Sequence, residues 1–313
     1  MGSKISRRIL VRVAGAAGLA VAAKSVYDQA PIFWRQWAND WKRRVPPPPR
    51  RPDVGSWGDR GLHIAWLGHA TMLIRIDGFT ILTDPVFSRR AGIHLGPVTI
   101  GVKRLVDPAL TPDKLPPVDL VLVSHAHMDH LDIPSLRRME NPHTDLVTAH
   151  ATGDLMRPER YRSFRELRWG QTAQAGPVSI RAIEVNHWGA RVRTDIWRGY
   201  NGYIIESGRY RILFAGDTAD TTLFRQLRSR RPFDVAMMPI GAYNPWIRFH
   251  CTPEAAWRMG NEAGAERVIP IHHQTFRLSN EPPLEPIERF REAVGREIGR
   301  VPLDGVGQEM HLA

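Results

Sequence analysis

Val121-Leu122-Val123-Ser124-His125-Ala126-His127-Met128-Asp129-His130 runs an apolar strand directly into three histidines and an aspartate. A strand fixes where the backbone leaves the sheet, so side chains spaced as HxHxDH just beyond it can converge on one point. Imidazole and carboxylate are the donors that suit a zinc-type divalent cation. Cys251 is the single cysteine, which excludes an internal disulfide and a thiolate cage, so nitrogen and oxygen must hold any metal. Further ligands should come from other strand exits. His187 follows the run ending at Glu184, Asp217 follows Tyr210-Arg211-Ile212-Leu213-Phe214-Ala215-Gly216, and His272 follows Arg267-Val268-Ile269-Pro270-Ile271. His63, His94, His143, His150 and His311 have no such placement and read as structural.

Outward from this stretch the chain breaks into short β-rich runs at Leu62 to Leu67, Thr71 to Ile76, Phe79 to Leu82 and Asp119 to Ser124. A second series covers Val178 to Glu184, Gly202 to Glu206, Tyr210 to Phe214, Asp234 to Met238 and Arg267 to Ile271. Helical patterns are predicted over Thr221 to Arg230, Pro253 to Ala263 and Pro286 to Val294, with Thr252 before Pro253 as a capping start. Two strand-rich halves with helices after each predict an α/β fold, a sandwich of two mixed sheets flanked by helices.

Charge divides the chain. The net charge is +11, but residues 1–51 hold eleven Lys and Arg against Asp28 and Asp40, which places +9 there and leaves +2 for the remainder. A nearly neutral body offers no track for a polyanion, so nucleic acid is not expected as a partner. Ser6-Arg7-Arg8-Ile9-Leu10, followed by an apolar run from Val13 to Ala23, resembles a twin-arginine export signal and is too short to span a bilayer. Residues 1–24 are therefore read as a signal or an uncleaved anchor. The expected location is periplasmic or membrane-associated, the alternative being anchorage on the cytoplasmic face. Residues 25–52 form a basic aromatic arm with Phe33, Trp34, Trp37 and Trp41 among cations, suited to an anionic membrane surface, and end in the proline run 46–49. The catalytic domain is placed at 53–313.

HxHxDH, a lone His, an Asp after Gly and a final His together resemble the metallo-β-lactamase superfamily. The resemblance implies its αββα sandwich and two zinc ions, one held by His125, His127 and His187, the other by Asp129, His130 and His272, with Asp217 between them. Such a pair would acidify a shared water toward a pKa of ~7. His127 bears on the metal, because di-iron members of the superfamily carry glutamate there.

A narrower resemblance rests on Trp66-Leu67-Gly68-His69-Ala70-Thr71, Leu82-Thr83-Asp84-Pro85-Val86-Phe87-Ser88, Asn186-His187-Trp188, Phe214-Ala215-Gly216-Asp217-Thr218, Pro239-Ile240-Gly241-Ala242-Tyr243 and Leu278-Ser279-Asn280-Glu281. These segments are similar to the N-acyl-phosphatidylethanolamine-hydrolysing phospholipase D family, which implies a phospholipid or related phosphodiester substrate. His273 departs from that family's pattern, which has tryptophan after the ligand. Asp129 and His250 are the acid-base candidates. Asp84 is expected to orient a ligand imidazole, and His69, Trp188, Tyr243 and His273 to line or support the substrate site. A metal-dependent lactonase is the competing activity; a nuclease and a non-catalytic binding protein are further alternatives.

Overall fold

Hairpins begin the body of the chain. Leu62–Gly68 (β1), Thr71–Ile76 (β2) and Phe79–Thr83 (β3) pair antiparallel in order, and the β2–β3 turn is Asp77-Gly78 with both residues at positive φ, the geometry that matches strand twist in a two-residue turn. The computed structural model describes residues 40, 43–96, 98–192 and 194–313, in two compact units, Met1–Arg43 and Arg44–Ala313. The export-like segment and the arm's Phe33, Trp34, Trp37 and Trp41 lie outside the described residues. The second unit starts at Arg44, and the proline run is tied to it: Pro46 O accepts a hydrogen bond from Asp107 N at 2.9 Å. Among the described residues no helix is long and apolar enough to cross a membrane.

After the hairpins come Arg90–Leu95 (β4) and Val98–Lys103 (β5), which pair only with each other, then Leu120–Val123 (β6), Asp145–Ala149 (β7), Ser163–Leu167 (β8), Thr172–Ala175 (β9), Val178–Ile183 (β10), Gly202–Ser207 (β11), Tyr210–Phe214 (β12), Val235–Pro239 (β13), Val268–Ile271 (β14) and Glu309–Leu312 (β15). One sheet has the order β15-β1-β2-β3-β6-β7-β8 and the other β14-β13-β12-β11-β10-β9, each with parallel and antiparallel pairs.

Alternation along the second sheet assigns its faces. Tyr203, Ile205, Ile212, Phe214, Val235, Met237, Ile269 and Ile271 join the inter-sheet core with Ile64, Leu73 and Val121. The residues between them, Ile204, Leu213, Ala236, Met238 and Val268, join a second cluster with Trp257 and Phe290. That period of two is what a strand buried on both faces requires. Trp257 belongs to Pro253–Glu262 (α2) and Phe290 to Glu285–Val294 (α3), while Ile133–Met139 (α1) follows the histidine motif. Thr252 caps α2 through Ala255 N. The helix predicted at Thr221 to Arg230 is only a short 3₁₀ segment, Leu223–Leu227, in which Phe224 alone is buried and no side chain caps the start. The sequence reading has no counterpart for β4, β5, β7, β8, β9, β15 or α1; β8 is half exposed with no regular apolar alternation, and the alternation of β15 is only four residues long.

Candidate metal centre

Strand direction gathers the ligands. β3 and β6 are parallel, so Asp84 and Ser124 leave the first sheet at one edge. In the second sheet β12, β13 and β14 are parallel, and β10 shares their direction because it is antiparallel to β11, itself antiparallel to β12. His187, Asp217, Gly241 and His272 therefore leave at one edge too. The two edges are stitched together by Asn201 N to Ser124 O at 3.0 Å and His272 N to His69 O at 3.0 Å. Turning the side chains inward costs backbone strain: His69, Asp84, Ala242 and His272 all have positive φ, a region non-glycine residues rarely occupy. Gly241 has no room for a side chain, since a Cβ there would lie 2.2 Å from His272 O.

Hydrogen-bond partners fix the imidazole tautomers. Asp84 is fully buried and accepts from Ser124 N and Ser124 Oγ, both at 2.6 Å, and from His130 Nδ1 at 2.7 Å. His130 therefore keeps a proton on Nδ1 and turns Nε2 inward, the nitrogen a metal would take. With its proton given to Asp84, Ser124 Oγ accepts from His125 Nδ1 at 2.9 Å, and His187 Nδ1 donates to Phe249 O at 2.8 Å. Both leave Nε2 as a lone pair. Those two lone pairs face His127 Nδ1 at 2.8 and 3.2 Å, and one N–H could satisfy only one of them. Asp217 Oδ2 lies 3.9 Å from His125 Nε2, 3.8 Å from His187 Nε2, 3.1 Å from His130 Nε2 and 3.2 Å from His272 Nε2. Asp129 Oδ2 is 3.6 and 3.3 Å from the last two nitrogens.

Donors at ~2.0–2.1 Å from a tetrahedral zinc ion lie about 3.3 Å from one another, and these spacings bracket that value. His130 Nε2, His272 Nε2 and both oxygens of Asp217 are buried with no hydrogen-bond partner. Buried polar atoms are otherwise satisfied. Among the described residues three groups of donor atoms, each within 4.8 Å, can hold a cation: His125, His127, His187 and Asp217; His69, Asp129, His130 and His272; and Asp217, His250 and His272. The donor set thus fits bound metal, with the Asp217 carboxylate reaching both four-residue groups.

Electrostatics agrees. Burial would raise Asp129 and Asp217, yet His130, and for Asp217 also His272, outweighs it and holds both carboxyls well below their usual range. Burial opposes charge on His272 too, but Asp217 and Asp129 lift it to about 9, and His130 rises well above its ordinary value for the same reason. Burial and imidazole neighbours hold His127 at about 3, while burial sets His187 at about 4. The pocket is built for positive charge that bare imidazoles supply only by taking up protons. A pH dependence follows. A raised imidazole pKa stabilises the metal-free fold below the unfolded value of ~6.5, and that contribution fades as pH climbs through about 9. Metal uptake at pH 7 is expected to release protons from His272 and His130, read by calorimetric titration in buffers of different ionisation enthalpy. No release at pH 7 would show that the raised pair is not where metal enters.

Residues 80–273 match the family described as the beta-lactamase superfamily domain. The chain belongs to the metallo-β-lactamase superfamily. It is 33% identical over 289 residues to an uncharacterized protein of Mycobacterium tuberculosis, covering 88% of this chain and 76% of that one. It is 30% identical over 252 residues to N-acyl-phosphatidylethanolamine-hydrolyzing phospholipase D 1 of Caenorhabditis elegans, covering 75% and 70%. Among solved structures, isothiocyanate hydrolase from Delia radicum gut bacteria superposes with a TM-score of 0.63 at 16% identity, covering 80% of this chain and 99% of that one.

Around this superfamily centre the remaining candidates separate. His250 and Trp188 line the cleft beside the cluster, His250 Nδ1 lying 3.8 Å from Asp217 Oδ2 and the Trp188 ring 4.9 Å from that of His127. His69, Tyr243 and His273 do not line it. Tyr243 turns away, donating to Glu285 Oε1 at 2.6 Å on α3, and His273 is buried against Trp66 with its Nε2 3.3 Å from Pro270 O. Their neighbours in the chain are site residues, but the side chains point into packing. His69 is 1% exposed and reaches Asp129 Oδ2 with Nε2 at 2.9 Å, so it can brace that carboxylate from within the donor group and away from the cleft lining. Burial, then His272, keeps it neutral with a pKa of about 3, leaving Nε2–H to donate. Replacing His69 with Ala is expected to weaken metal affinity at the Asp129 group about 10- to 100-fold, and His69→Gln, which can present an N–H at similar reach, to restore part of it. Equal metal titration curves for the wild type and the Ala variant would remove His69 from the centre.

Sequence reasoning missed Arg191, Trp246 and Phe249, which line the cleft. Arg191 Nη1 also donates to Ala126 O at 2.9 Å and Leu131 O at 2.8 Å, clamping the histidine loop. They sit on loops, where no periodicity marks a residue. Of the histidines read as structural, His94 binds Asp132 at 3.0 Å and pins the β4–β5 hairpin to the start of α1, and His63 stacks on His311 at 4.3 Å.

Proposed function

We propose that this chain is a metal-dependent hydrolase, and specifically a binuclear zinc phosphodiesterase of phospholipase D type acting on N-acyl phosphatidylethanolamine or a related phospholipid. The observation that carries the reading is the cleft of about 290 Å³ that opens onto His127, Asp129, Asp217 and His250 and is walled by Trp188, Trp246, Phe249 and Leu278. A charged diester can meet the cluster while acyl chains lie on apolar walls. Kinship with the nematode phospholipase D supports the same substrate class. Two zinc ions there would supply Lewis-acid chemistry, activating water and neutralising charge that develops on the phosphoryl oxygens.

The protein's own groups do the rest. Asp129 stays ionised and can accept the proton of the attacking water, with His69 holding its carboxylate in place. Burial keeps His250 neutral, well below the ordinary imidazole value despite Asp217 nearby. It therefore acts as an N–H donor to the leaving oxygen and not as an imidazolium acid. The aromatic walls exclude water from the diester. The proposal extends to place: residues 1–24 direct export, and the basic aromatic arm of residues 25–52 meets an anionic membrane on the periplasmic side. N-terminal sequencing of protein recovered from membrane and periplasmic fractions tests that part.

For the activity, zinc-loaded protein is offered N-acyl phospholipids, ordinary phospholipids, lactones and a soluble phosphodiester, with His127→Ala as control. Release of N-acylethanolamine and phosphatidic acid by the wild type alone is the expected result. Turnover of lactones without any phospholipid would replace the phospholipase reading with the lactonase one.

A further inference from the structure

Two loops that edge the cleft wear their apolar side chains on the outside. Residues 188–198 carry Val192, Ile196 and Trp197 at 48%, 76% and 64% exposure, and residues 244–249 carry Trp246 and Ile247 at 45% and 50%. The two loops meet, since the rings of Trp188 and Phe249 lie 5.5 Å apart. The first loop is inverted relative to ordinary protein surface. Asp195 and Arg198, on either side of Ile196 and Trp197, are only 5% and 7% exposed and are paired at 2.6 Å. Arg198 also donates to Ala151 O at 2.6 Å and to Asp154 Oδ2 at 2.8 Å, and Asp195 Oδ1 accepts from Val192 N at 2.8 Å. Polar groups are thus spent inward on bracing the loop, and a tryptophan and an isoleucine are held out in water at a standing cost. Apolar residues scattered singly over a surface need no explanation, but a cluster around the mouth of a cleft marks an interaction site.

Charge identifies the partner. Asp195, the acid within these two loops, is buried and paired, while Arg248 and Arg277 beside the mouth are exposed and carry no hydrogen bond or ion pair among the described residues. Exposed Trp and Ile flanked by unpaired arginine match an interface with apolar depth and anionic headgroups.

We propose that this rim, centred on Ile196, Trp197 and Ile247, docks the mouth of the site onto an anionic lipid bilayer. The inference rests on the phospholipid reading for its purpose but locates the contact on the compact unit itself, apart from the N-terminal arm. Docking there carries a lipid headgroup into the cleft without the whole molecule leaving the bilayer.

The test uses the full-length zinc-loaded protein, sedimented with vesicles of phosphatidylcholine containing phosphatidylglycerol, beside Ile196→Ser, Trp197→Ser and, as a control remote from the cleft, Ile298→Ser, whose side chain is also 47% exposed. Each rim variant is expected to bind vesicles about tenfold more weakly and to show a raised KM on vesicles with kcat/KM for a soluble phosphodiester unchanged. Ile298→Ser should behave as wild type. Vesicle binding that depends on the rim, in a protein that hydrolyses no phospholipid, would sink the phospholipase reading and leave the docking surface standing. Rim variants that bind vesicles as well as wild type, or that lose affinity no more than Ile298→Ser does, overturn the proposal. So does a shift of the rim variants from dimer to monomer in sedimentation velocity with vesicle binding intact, which would make the rim a contact between copies of the chain.

Discussion

Asp217→Asn is expected to lower hydrolysis by a factor on the order of 10³ or more and to leave the chain unable to hold two metal ions at once. This carboxylate alone faces both donor groups, its Oδ2 lying between 3.1 and 3.9 Å from the inward nitrogens of His125, His130, His187 and His272. An amide keeps the shape but removes the negative charge, and it presents an NH₂ group where a metal needs a lone pair. The metal-free fold should lose the stability that the carboxylate draws from charged His130 and His272, so a folded state is checked by circular dichroism beside the assay. What places Asp217 is Gly216, whose φ of +60 turns the chain out of β12 and where a Cβ would lie 2.8 Å from Asn201 O and 3.0 Å from Ser124 Cβ. Metal analysis of the purified variant beside a turnover assay reads the outcome. Two metals per chain with near wild-type rate would dismantle the shared-carboxylate centre.

The second large effect is expected at Asp84, which touches no substrate. Its two oxygens receive three donors, Ser124 N, Ser124 Oγ and His130 Nδ1. Asparagine offers one acceptor oxygen, so Asp84→Asn sets an NH₂ group against at least one of these buried donors. The affinity for metal at the His130 group should fall about 10- to 100-fold through loss of imidazole orientation, and the fold should lose roughly 1–3 kcal/mol from the unsatisfied group. The Ser124 link extends the damage to His125, whose tautomer depends on that hydroxyl. Metal titration followed by denaturant unfolding separates the two losses. Unchanged affinity with a destabilised fold would make Asp84 a packing residue only.

Much of this was legible in the linear chain because strand exits are written locally. An apolar run followed by a polar residue marks both a strand and the place where it stops, and β6, β10, β12 and β14 could each be read that way with their terminal His or Asp. HxHxDH is itself local. By contrast, the short 3₁₀ segment at Leu223–Leu227 shows the limit of periodicity: two or three apolar residues suggest a helix, but one buried phenylalanine does not sustain it.

What the amino-acid order carried by itself was nine of the strands, the polar residues at their exits and the likeness to one superfamily, since each depends on neighbours in the chain. What only tertiary structure decided was which polar residues face one another. His69 and Tyr243 look alike in sequence, each lying in a segment shared with the phospholipase D family, yet one braces Asp129 and the other turns to Glu285. The cleft wall and its exposed rim also come from loops 188–198 and 244–249, which are far apart in the chain and carry no period. The direction of a side chain on a loop is set by distant partners such as Asp154 and Arg198, and that information exists only once the two sheets have closed.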